Sequence, residues 1–384
     1  MTGLEFNERL RNIPVYPTAS TYAFDGELVK LASNETPFQP HPQVLEAVEA
    51  HLRTLNRYPD PERTALRRRI SERTGVPTGR IAVGNGSCEL LLAAAEAMLE
   101  PGAEIVYAWP SFSMYPQLAA MSGARAATVP LNDAAEHDLE AMAREVTAAT
   151  RIVIVCNPNN PTATALPPAA IDEFVGQLPR HVAVILDEAY VEFSSLQDPD
   201  ESIALLDRHP NLILLRTFSK VYGLCGLRVG YALGSEDFRL AVDRVRQPFS
   251  VNALAQAAAA EAMNHVDEVE RRVEQTAIER MHVESELHER DLETTDSEAN
   301  FSWSSSRSPT DTQEKFAWLS VVSRPRSWSS DSTCRRSIAV CSTRRSSSST
   351  WLSASVAAAC ASAFTEKGCR TRSTASRNSS EPSA

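Results

Sequence analysis

A lysine that directly follows a serine stands in a stretch whose residue types could do chemistry. Lys220 stands after Ser219, glycines follow at Gly223 and Gly226, and Arg228 comes eight residues after the lysine. A lysine amine can form an imine with an aldehyde, while a hydroxyl and a guanidinium can hold a phosphate. The stretch therefore suits a phosphorylated aldehyde cofactor. A Ser-Lys pair without further context more often belongs to an ordinary strand–turn–strand with a surface lysine.

A carboxylate and two further polar residues follow other apolar runs. Asp187 ends one run, with Tyr190 three residues later, and Asn160 lies in the turn Asn157-Pro-Asn-Asn-Pro-Thr162. A buried carboxylate is costly unless a cation faces it, and a protonated pyridine nitrogen would serve. An ordinary salt bridge would serve equally well. The two X-Pro units in the turn restrict the backbone and fix an asparagine amide in place.

Two more segments could contact a cofactor. Ser87 and Cys88 follow Gly84-Asn85-Gly86, where a helix start would present amide groups to an anion and Ser87 could cap the helix. A plain strand-to-helix turn explains the same residues. No Lys-Ser/Thr follows and G-x-G-x-x-G is absent, so the sequence disfavours a Walker loop and a nicotinamide site. Phe112 could cover a planar ring or simply pack.

Short apolar runs alternate with segments of helical spacing over most of the chain. This alternation predicts a mostly parallel sheet covered by helices on both faces, which is an α/β fold. Ligands in such folds bind beyond the carboxyl ends of the strands, where every motif above falls. The predicted strands are 81–83, 105–108, 126–129, 152–156, 182–186, 212–215 and 227–233, and the predicted helices include 44–55, 89–99, 114–121, 139–148 and 169–178.

Composition narrows the classes of function. A net charge of −11 argues against nucleic-acid binding, and we expect neither a signal peptide nor a membrane span. The seven cysteines contain no C-x-x-C pair, and no histidine stands at ligand spacing beside them. We therefore expect a reduced, cytoplasmic protein without a metal site.

Eight sequence blocks in order resemble the fold-type I pyridoxal-phosphate aminotransferases, and most closely the histidinol-phosphate aminotransferase family. The resemblance runs from about Leu28 to Trp303. It implies a three-layer fold with a mostly parallel seven-stranded sheet, and a smaller α+β domain. The blocks are Ala32-Ser-Asn-Glu35, Arg57-Tyr-Pro-Asp60, Gly84-Asn-Gly-Ser87, Asn157-Pro-Asn-Asn-Pro-Thr162, Asp187-Glu-Ala-Tyr190, Arg216-Thr-Phe-Ser-Lys220, Gly226-Leu-Arg-Val-Gly-Tyr231 and Arg246-Gln-Pro-Phe249.

The resemblance also implies a role for each matched residue. Lys220 would bind pyridoxal 5'-phosphate covalently and then move the proton at the substrate α-carbon. Asp187 would keep the ring nitrogen protonated. Asn160 and Tyr190 would hydrogen-bond the ring hydroxylate, and Phe112 would stack on the ring face. The cofactor phosphate would be bound by Ser219, Arg228, Ser87 and Cys88, and by Tyr58 from the neighbouring subunit. Tyr22 and Asn34 would contact the substrate.

The implied reaction moves an amino group from glutamate to imidazole-acetol phosphate in a homodimer, giving histidinol phosphate and 2-oxoglutarate in histidine biosynthesis. Close relatives share every cofactor block, so an aromatic or other amino acid is the alternative substrate. Threonine-phosphate decarboxylation is a more distant variant. The family position of Ala163 is expected to hold a glycine, and alanine is strained there only if its φ is positive.

The composition changes abruptly at Ser304. The last 81 residues hold 12 basic and 5 acidic residues and 24 serines, with no sustained strand or helix period except around 351–364. The predicted organisation is an arm with part of the small domain (1–43), a large cofactor domain (44–264), the start of the small domain (265–303), and a poorly ordered segment outside the family pattern (304–384).

Two hypotheses explain the changed segment. A reading-frame shift near codon 304 would replace the expected end of the small domain, and sequencing the coding DNA tests it. A genuine Ser/Arg-rich tail is the alternative. If the substrate-binding arginines expected there are lost, the chain would be a cofactor-binding protein without activity.

Overall fold

The computed structural model describes residues 13, 33–289, 292–306, 315–320 and 340–344. Of the predicted arm (1–43), residue 13 and residues 33–43 are described, and Tyr22 lies outside the described residues. Most of the segment from 304 to 384 also lies outside them, including 351–364.

A seven-stranded sheet forms the centre of the molecule. Its order is β1-β7-β6-β5-β4-β2-β3. The pairs β2–β3, β2–β4, β4–β5 and β5–β6 are parallel, and β7 runs antiparallel to both of its neighbours. The strands are β1 (Ile81–Gly84), β2 (Glu104–Trp109), β3 (Arg125–Pro130), β4 (Thr150–Cys156), β5 (Ala183–Asp187), β6 (Leu212–Thr217) and β7 (Gly230–Leu233).

All seven predicted strands are present, and the last of them differs most from its predicted start. The run predicted from residue 227 becomes a strand only at Gly230, because Arg228 has a φ of 59° and turns the backbone. The Phe218 amide bonds to the Val229 carbonyl at 3.1 Å, which closes the turn against the end of β6.

Helices cover both faces of this sheet. Alternate residues of a strand point to opposite faces, so Val153 and Val155 join one core cluster, while Ile152 and Ile154 join the other. Helices α2, α5, α6 and α9 supply the first cluster, and α3, α4 and α8 the second. The helices are α1 (Pro42–His51), α2 (Thr64–Thr74), α3 (Gly86–Met98), α4 (Met114–Ser122), α5 (Leu139–Arg144), α6 (Pro168–Gln177), α7 (Leu205–Arg208), α8 (Glu236–Val245), α9 (Ala253–Ala262) and α10 (Val266–His288).

The layered arrangement confirms the predicted α/β fold. Each of the predicted helices named above is present, with ends displaced by up to a few residues. Across the described residues, no helix combines the length and apolar character needed to cross a membrane.

A second, antiparallel sheet follows α10. Its order is β11-β10-β9-β8, from β8 (Glu293–Thr294), β9 (Phe301–Ser306), β10 (Lys315–Ser320) and β11 (Val340–Arg344). Strands β8 and β9 lie in or directly after the segment predicted as the start of the small domain, and they pair with each other. No strand was expected after Ser304, and that expectation was wrong, because the backbones of β10 and β11 extend the sheet from β9.

Candidate functional site

The carboxyl ends of β4, β5 and β6 lie side by side and position most of the candidate residues. Cys156 pairs with Asp187 across β4 and β5, and the Asn157 amide donates to the Asp187 carbonyl at 2.9 Å. The loop after β6 then carries Ser219 and Lys220. Parallel strands end at one edge of a sheet, which explains why separated motifs meet here.

Asp187 is a buried carboxylate with one oxygen still available. Its Oδ2 atom accepts a hydrogen bond of 2.9 Å from the Tyr115 hydroxyl. Its Oδ1 atom is buried and has no hydrogen-bond partner among the described residues. Burial raises the pKa of this carboxyl to about 6, since the charged form is desolvated. A buried acceptor without a donor is costly, so Oδ1 is suited to a proton-bearing ligand atom.

Lys220 lies next to Tyr190. Its Nζ atom is 5.2 Å from the centre of the Tyr190 ring and donates to the Ser33 carbonyl at 2.9 Å. The Tyr190 hydroxyl accepts from the Asn34 side-chain amide at 3.1 Å. Burial raises the pKa of Tyr190, so its hydroxyl stays protonated near neutral pH. The amine and the phenol predicted to act together are thus close to each other.

Asn34 is held by the protein on several sides. It is buried with a φ of 51°, and its carbonyl accepts from Asn300 at 3.1 Å and from Lys220 at 3.4 Å. Its side-chain amide is the donor to Tyr190. Asn34 was predicted as a substrate contact, and the structure places it where it supports Tyr190 and Lys220.

A cradle suited to an anion forms where α3 begins beside β7. Arg228 donates to the Ser219 hydroxyl at 3.2 Å. A Cβ atom added to Gly86 would come 2.5 Å from Arg228 Nη2, and one added to Gly230 would come 2.8 Å from the Ser87 amide nitrogen. Only glycines permit these approaches, which bring a guanidinium, a hydroxyl and the amide end of a helix together.

Ser87 and Cys88 lie in the first turn of α3, because the helix begins before the predicted residue 89, and Ser87 does not cap it. The helix begins at Gly86 and the capping position is Asn85, whose side chain makes no cap hydrogen bond. The capping position therefore lies two residues before Ser87, and Gly86 between them has a left-handed φ of 74°. Desolvation raises the pKa of the Cys88 thiol, which favours the neutral form.

Phe112 and Asn160 border the same region. Phe112 is partly buried and packs edge-on against Tyr115, with ring centres 5.7 Å apart. Asn160 is partly buried in the loop after β4. Tyr58 is 81% exposed and stacks on Phe249 at 4.5 Å. Among the described residues, no contact joins Tyr58 to the rest of the site.

Sequence reasoning missed a buried hub between two of these loops. The Asn159 side-chain oxygen accepts from the Ser111 hydroxyl at 2.7 Å and from the His137 ring at 3.2 Å, and its amide donates to the Pro110 carbonyl at 3.2 Å. Desolvation lowers the pKa of His137 to about 4, so the ring is neutral at pH 7. The hub ties the loop of Phe112 to the loop of Asn160. The pair Asn159-Asn160 was the feature of the sequence that could have indicated this hub.

Ala163 has the strained backbone considered above. Its φ is 61°, its amide donates to the Asn159 carbonyl at 2.7 Å, and its carbonyl accepts from the Glu298 amide at 2.8 Å. Alanine in a left-handed backbone destabilises the folded chain by roughly 1–2 kcal/mol. A glycine at this position would relieve that strain, but its greater freedom in the unfolded chain would offset part of the gain. We predict that Ala163→Gly raises the free energy of unfolding by about 0.5–1 kcal/mol.

Denaturant unfolding of the cofactor-free protein measures this effect. Ala165→Gly is the matched control, because Ala165 is in the same loop and is not among the residues with positive φ. It should lower stability. If Ala163→Gly also lost stability, this would contradict the inference that the left-handed backbone of Ala163 is strained.

The candidate site fits the predicted cofactor on its own geometry. Asp187 Oδ1 offers a buried acceptor, the α3 cradle offers donors to an anion, and Lys220 supplies an amine nearby. Pyridoxal 5'-phosphate carries the complementary groups, which are a ring nitrogen, a phosphate and an aldehyde.

Comparison with known proteins gives an independent result. The profile of the family Aminotransferase class I and II matches residues 26–320. The chain is 41% identical over 303 residues to an aromatic amino acid aminotransferase of Streptomyces coelicolor, which covers 79% of this chain and 84% of the relative. It is 45% identical over 297 residues to an aromatic amino acid aminotransferase of Thermobifida fusca, covering 77% and 82%.

Solved structures point to the same fold. The histidinol-phosphate aminotransferase of Sinorhizobium meliloti, solved in complex with pyridoxal-5'-phosphate, superposes with a TM-score of 0.73 at 29% identity. The superposition covers 78% of this chain and 82% of that one. The names of the sequence relatives favour the aromatic alternative over the predicted histidinol phosphate specificity. The family match also extends to residue 320, beyond the predicted end of the resemblance at Trp303.

Proposed function

Because this chain belongs to the class I and II aminotransferases, whose cofactor is pyridoxal 5'-phosphate, we propose that it transfers the amino group of an aromatic amino acid to a 2-oxo acid. The aromatic specificity rests on the names of relatives at 41% and 45% identity. The structural observation on which the cofactor site chiefly depends is the buried, available Oδ1 atom of Asp187.

Asp187 would hold a proton at the cofactor ring nitrogen. Its Oδ1 atom lacks a donor among the described residues, and its raised pKa shows how strongly the surrounding protein disfavours an unpaired charge. A cationic partner would remove that penalty, because an opposite charge stabilises the carboxylate. Bound pyridoxal 5'-phosphate supplies an aldehyde for amines and a ring that accepts electrons.

Lys220 would supply the amine and then act as the base at the substrate α-carbon. Tyr190 and Asn160 would donate hydrogen bonds to the ring hydroxylate, and Phe112 would cover one face of the ring. The 5.2 Å separation between the Lys220 amine and the Tyr190 ring supports joint action at one place. A positioned base contributes roughly 10²- to 10⁴-fold to such a proton transfer.

Ser219, Arg228 and the first amides of α3, at Ser87 and Cys88, would bind the cofactor phosphate and fix its orientation. The 3.2 Å bond between Arg228 and the Ser219 hydroxyl supports this, since it brings a cation and a hydroxyl to the helix end. Charge-assisted bonds of this kind are stronger than neutral ones.

A second copy of the chain would complete the site through Tyr58. This side chain and the nearby Leu52, Leu55 and Phe249 are exposed at 81%, 48%, 64% and 41%. Exposed apolar side chains in one region are typical of protein interfaces. A homodimer that buries them would bring Tyr58 to the neighbouring active site.

Histidinol phosphate remains a second candidate substrate, because the Sinorhizobium meliloti enzyme superposes well. The deciding experiment compares kcat/KM for phenylalanine, tyrosine and histidinol phosphate with 2-oxoglutarate as acceptor. We expect an aromatic substrate to lead by about 10-fold or more. A lead for histidinol phosphate would overturn the substrate assignment. Cofactor binding without turnover of any amino donor would identify an inactive binding protein.

A further inference from the structure

Tyr115 holds the other oxygen of the Asp187 carboxylate. It is a fully buried residue of α4, and its hydroxyl donates to Asp187 Oδ2 over 2.9 Å. Burial raises the pKa of Tyr115, so the hydroxyl keeps its proton and remains a donor near neutral pH. No sequence motif pointed to this residue.

The bond fixes the direction of the carboxylate. A carboxylate can turn about its terminal torsion, which has a broad, roughly two-fold energy profile. Tyr115 occupies Oδ2, and Oδ1 is the oxygen without a partner among the described residues. We propose that Tyr115 is a positioning residue that holds Asp187 with Oδ1 directed to the cofactor ring nitrogen. The inference rests on the cofactor site proposed above.

The placement of Tyr115 also limits its movement. Its ring packs edge-on against Phe112 at 5.7 Å and is tilted against Tyr107 at 5.9 Å. A hydroxyl on a ring held on two sides is a preorganised donor, which loses little freedom when it bonds. One rigid side chain thus contacts both the proposed ring-nitrogen partner and the proposed ring cover.

Tyr115 also favours the ionised form of Asp187. A hydrogen bond to a carboxylate lowers its pKa, whereas desolvation raises it. Removing the hydroxyl should therefore raise the pKa of Asp187 further. The other titratable groups around this carboxyl are Cys88, Cys156, Glu188, Tyr190 and Lys220.

The test uses Tyr115→Phe and measures binding of pyridoxal 5'-phosphate to the cofactor-free full chain between pH 5 and 8. We expect affinity at pH 7 to fall about 10-fold, the effect of losing a hydrogen bond to a charged group. The acid limb of the affinity profile should move to higher pH, because only the ionised Asp187 carboxylate can accept a hydrogen bond from a protonated ring nitrogen. In the loaded enzyme, kcat should fall more than KM changes.

Tyr107→Phe is the matched control. Tyr107 is also buried and touches the Tyr115 ring, but its hydroxyl makes no hydrogen bond to a described residue. The affinity of Tyr107→Phe for pyridoxal 5'-phosphate, and the acid limb of its affinity profile, should stay as in the wild type. Unchanged values in Tyr115→Phe as well would overturn the positioning role. If the wild type itself does not bind the cofactor, the proposed function fails instead.

A second variant separates positioning from general damage to the fold. In an Asp187→Asn background there is no carboxylate to orient, so adding Tyr115→Phe should change cofactor affinity by less than about 2-fold. An equal loss in both backgrounds would show that Tyr115 acts only through packing, and would overturn the inference.

Discussion

Replacing Lys220 with alanine is expected to lower kcat for amino transfer by roughly 10⁴-fold, the upper range for loss of a positioned base. The amine lies 5.2 Å from the Tyr190 ring at the edge of the sheet where the other candidate residues meet. The chain contains four lysines, which are Lys30, Lys220, Lys315 and Lys367. Lys220 is the one whose described side chain lies at this edge of the sheet.

The small number of lysines makes the covalent assignment direct. Borohydride reduction of the wild type with bound cofactor, followed by peptide mass spectrometry, should place the cofactor mass on Lys220. Lys30→Ala and Lys315→Ala serve as matched controls and should keep both the label and the activity. A label on another lysine, or full activity in Lys220→Ala, would contradict the assignment.

Asp187→Asn should lower kcat by roughly 10²- to 10³-fold, the effect of losing one preorganised electrostatic partner. Asparagine keeps the shape of the side chain but carries no charge, so it cannot stabilise a protonated ring nitrogen. The affinity for pyridoxal 5'-phosphate should fall as well, and its dependence on pH below about 6 should flatten, because the titrating carboxyl is gone.

Steady-state kinetics and cofactor titration of the same preparation measure both effects. Asp133→Asn is the control, because Asp133 is an exposed aspartate on the loop between β3 and α5. It should leave kcat and affinity unchanged. Wild-type affinity in Asp187→Asn would mean that this carboxylate does not face the cofactor.

The seven-stranded sheet could be predicted because its strands are mostly short apolar runs buried on both faces. The run over 152–156 is an example, since Ile152 and Val153 point into different core clusters and both must be apolar. The strands β10 and β11 could not be predicted. They lie in the serine-rich stretch after residue 304, which shows no sustained period. Backbone pairing places them, because β10 pairs with β9 and β11 pairs with β10.

The site could be predicted for those chemically active residues that lie at the ends of strands. Asp187 ends β5 and Lys220 follows β6, and topology alone brings such positions together. Tyr115 and His137 were missed for a physical reason. Tyr115 lies on an apolar helix face where a tyrosine normally packs, and His137 lies in a loop. Their roles depend on distances across the fold, which local sequence does not encode.

The most direct test of the proposed activity is the half-reaction with phenylalanine alone. Purified protein with bound pyridoxal 5'-phosphate is mixed with L-phenylalanine without a 2-oxo acid, while absorbance and phenylpyruvate are followed. We predict loss of the yellow colour with about one phenylpyruvate per bound cofactor, and return of the colour when 2-oxoglutarate is added. A yellow protein that neither bleaches nor releases phenylpyruvate would contradict the proposed aromatic aminotransferase.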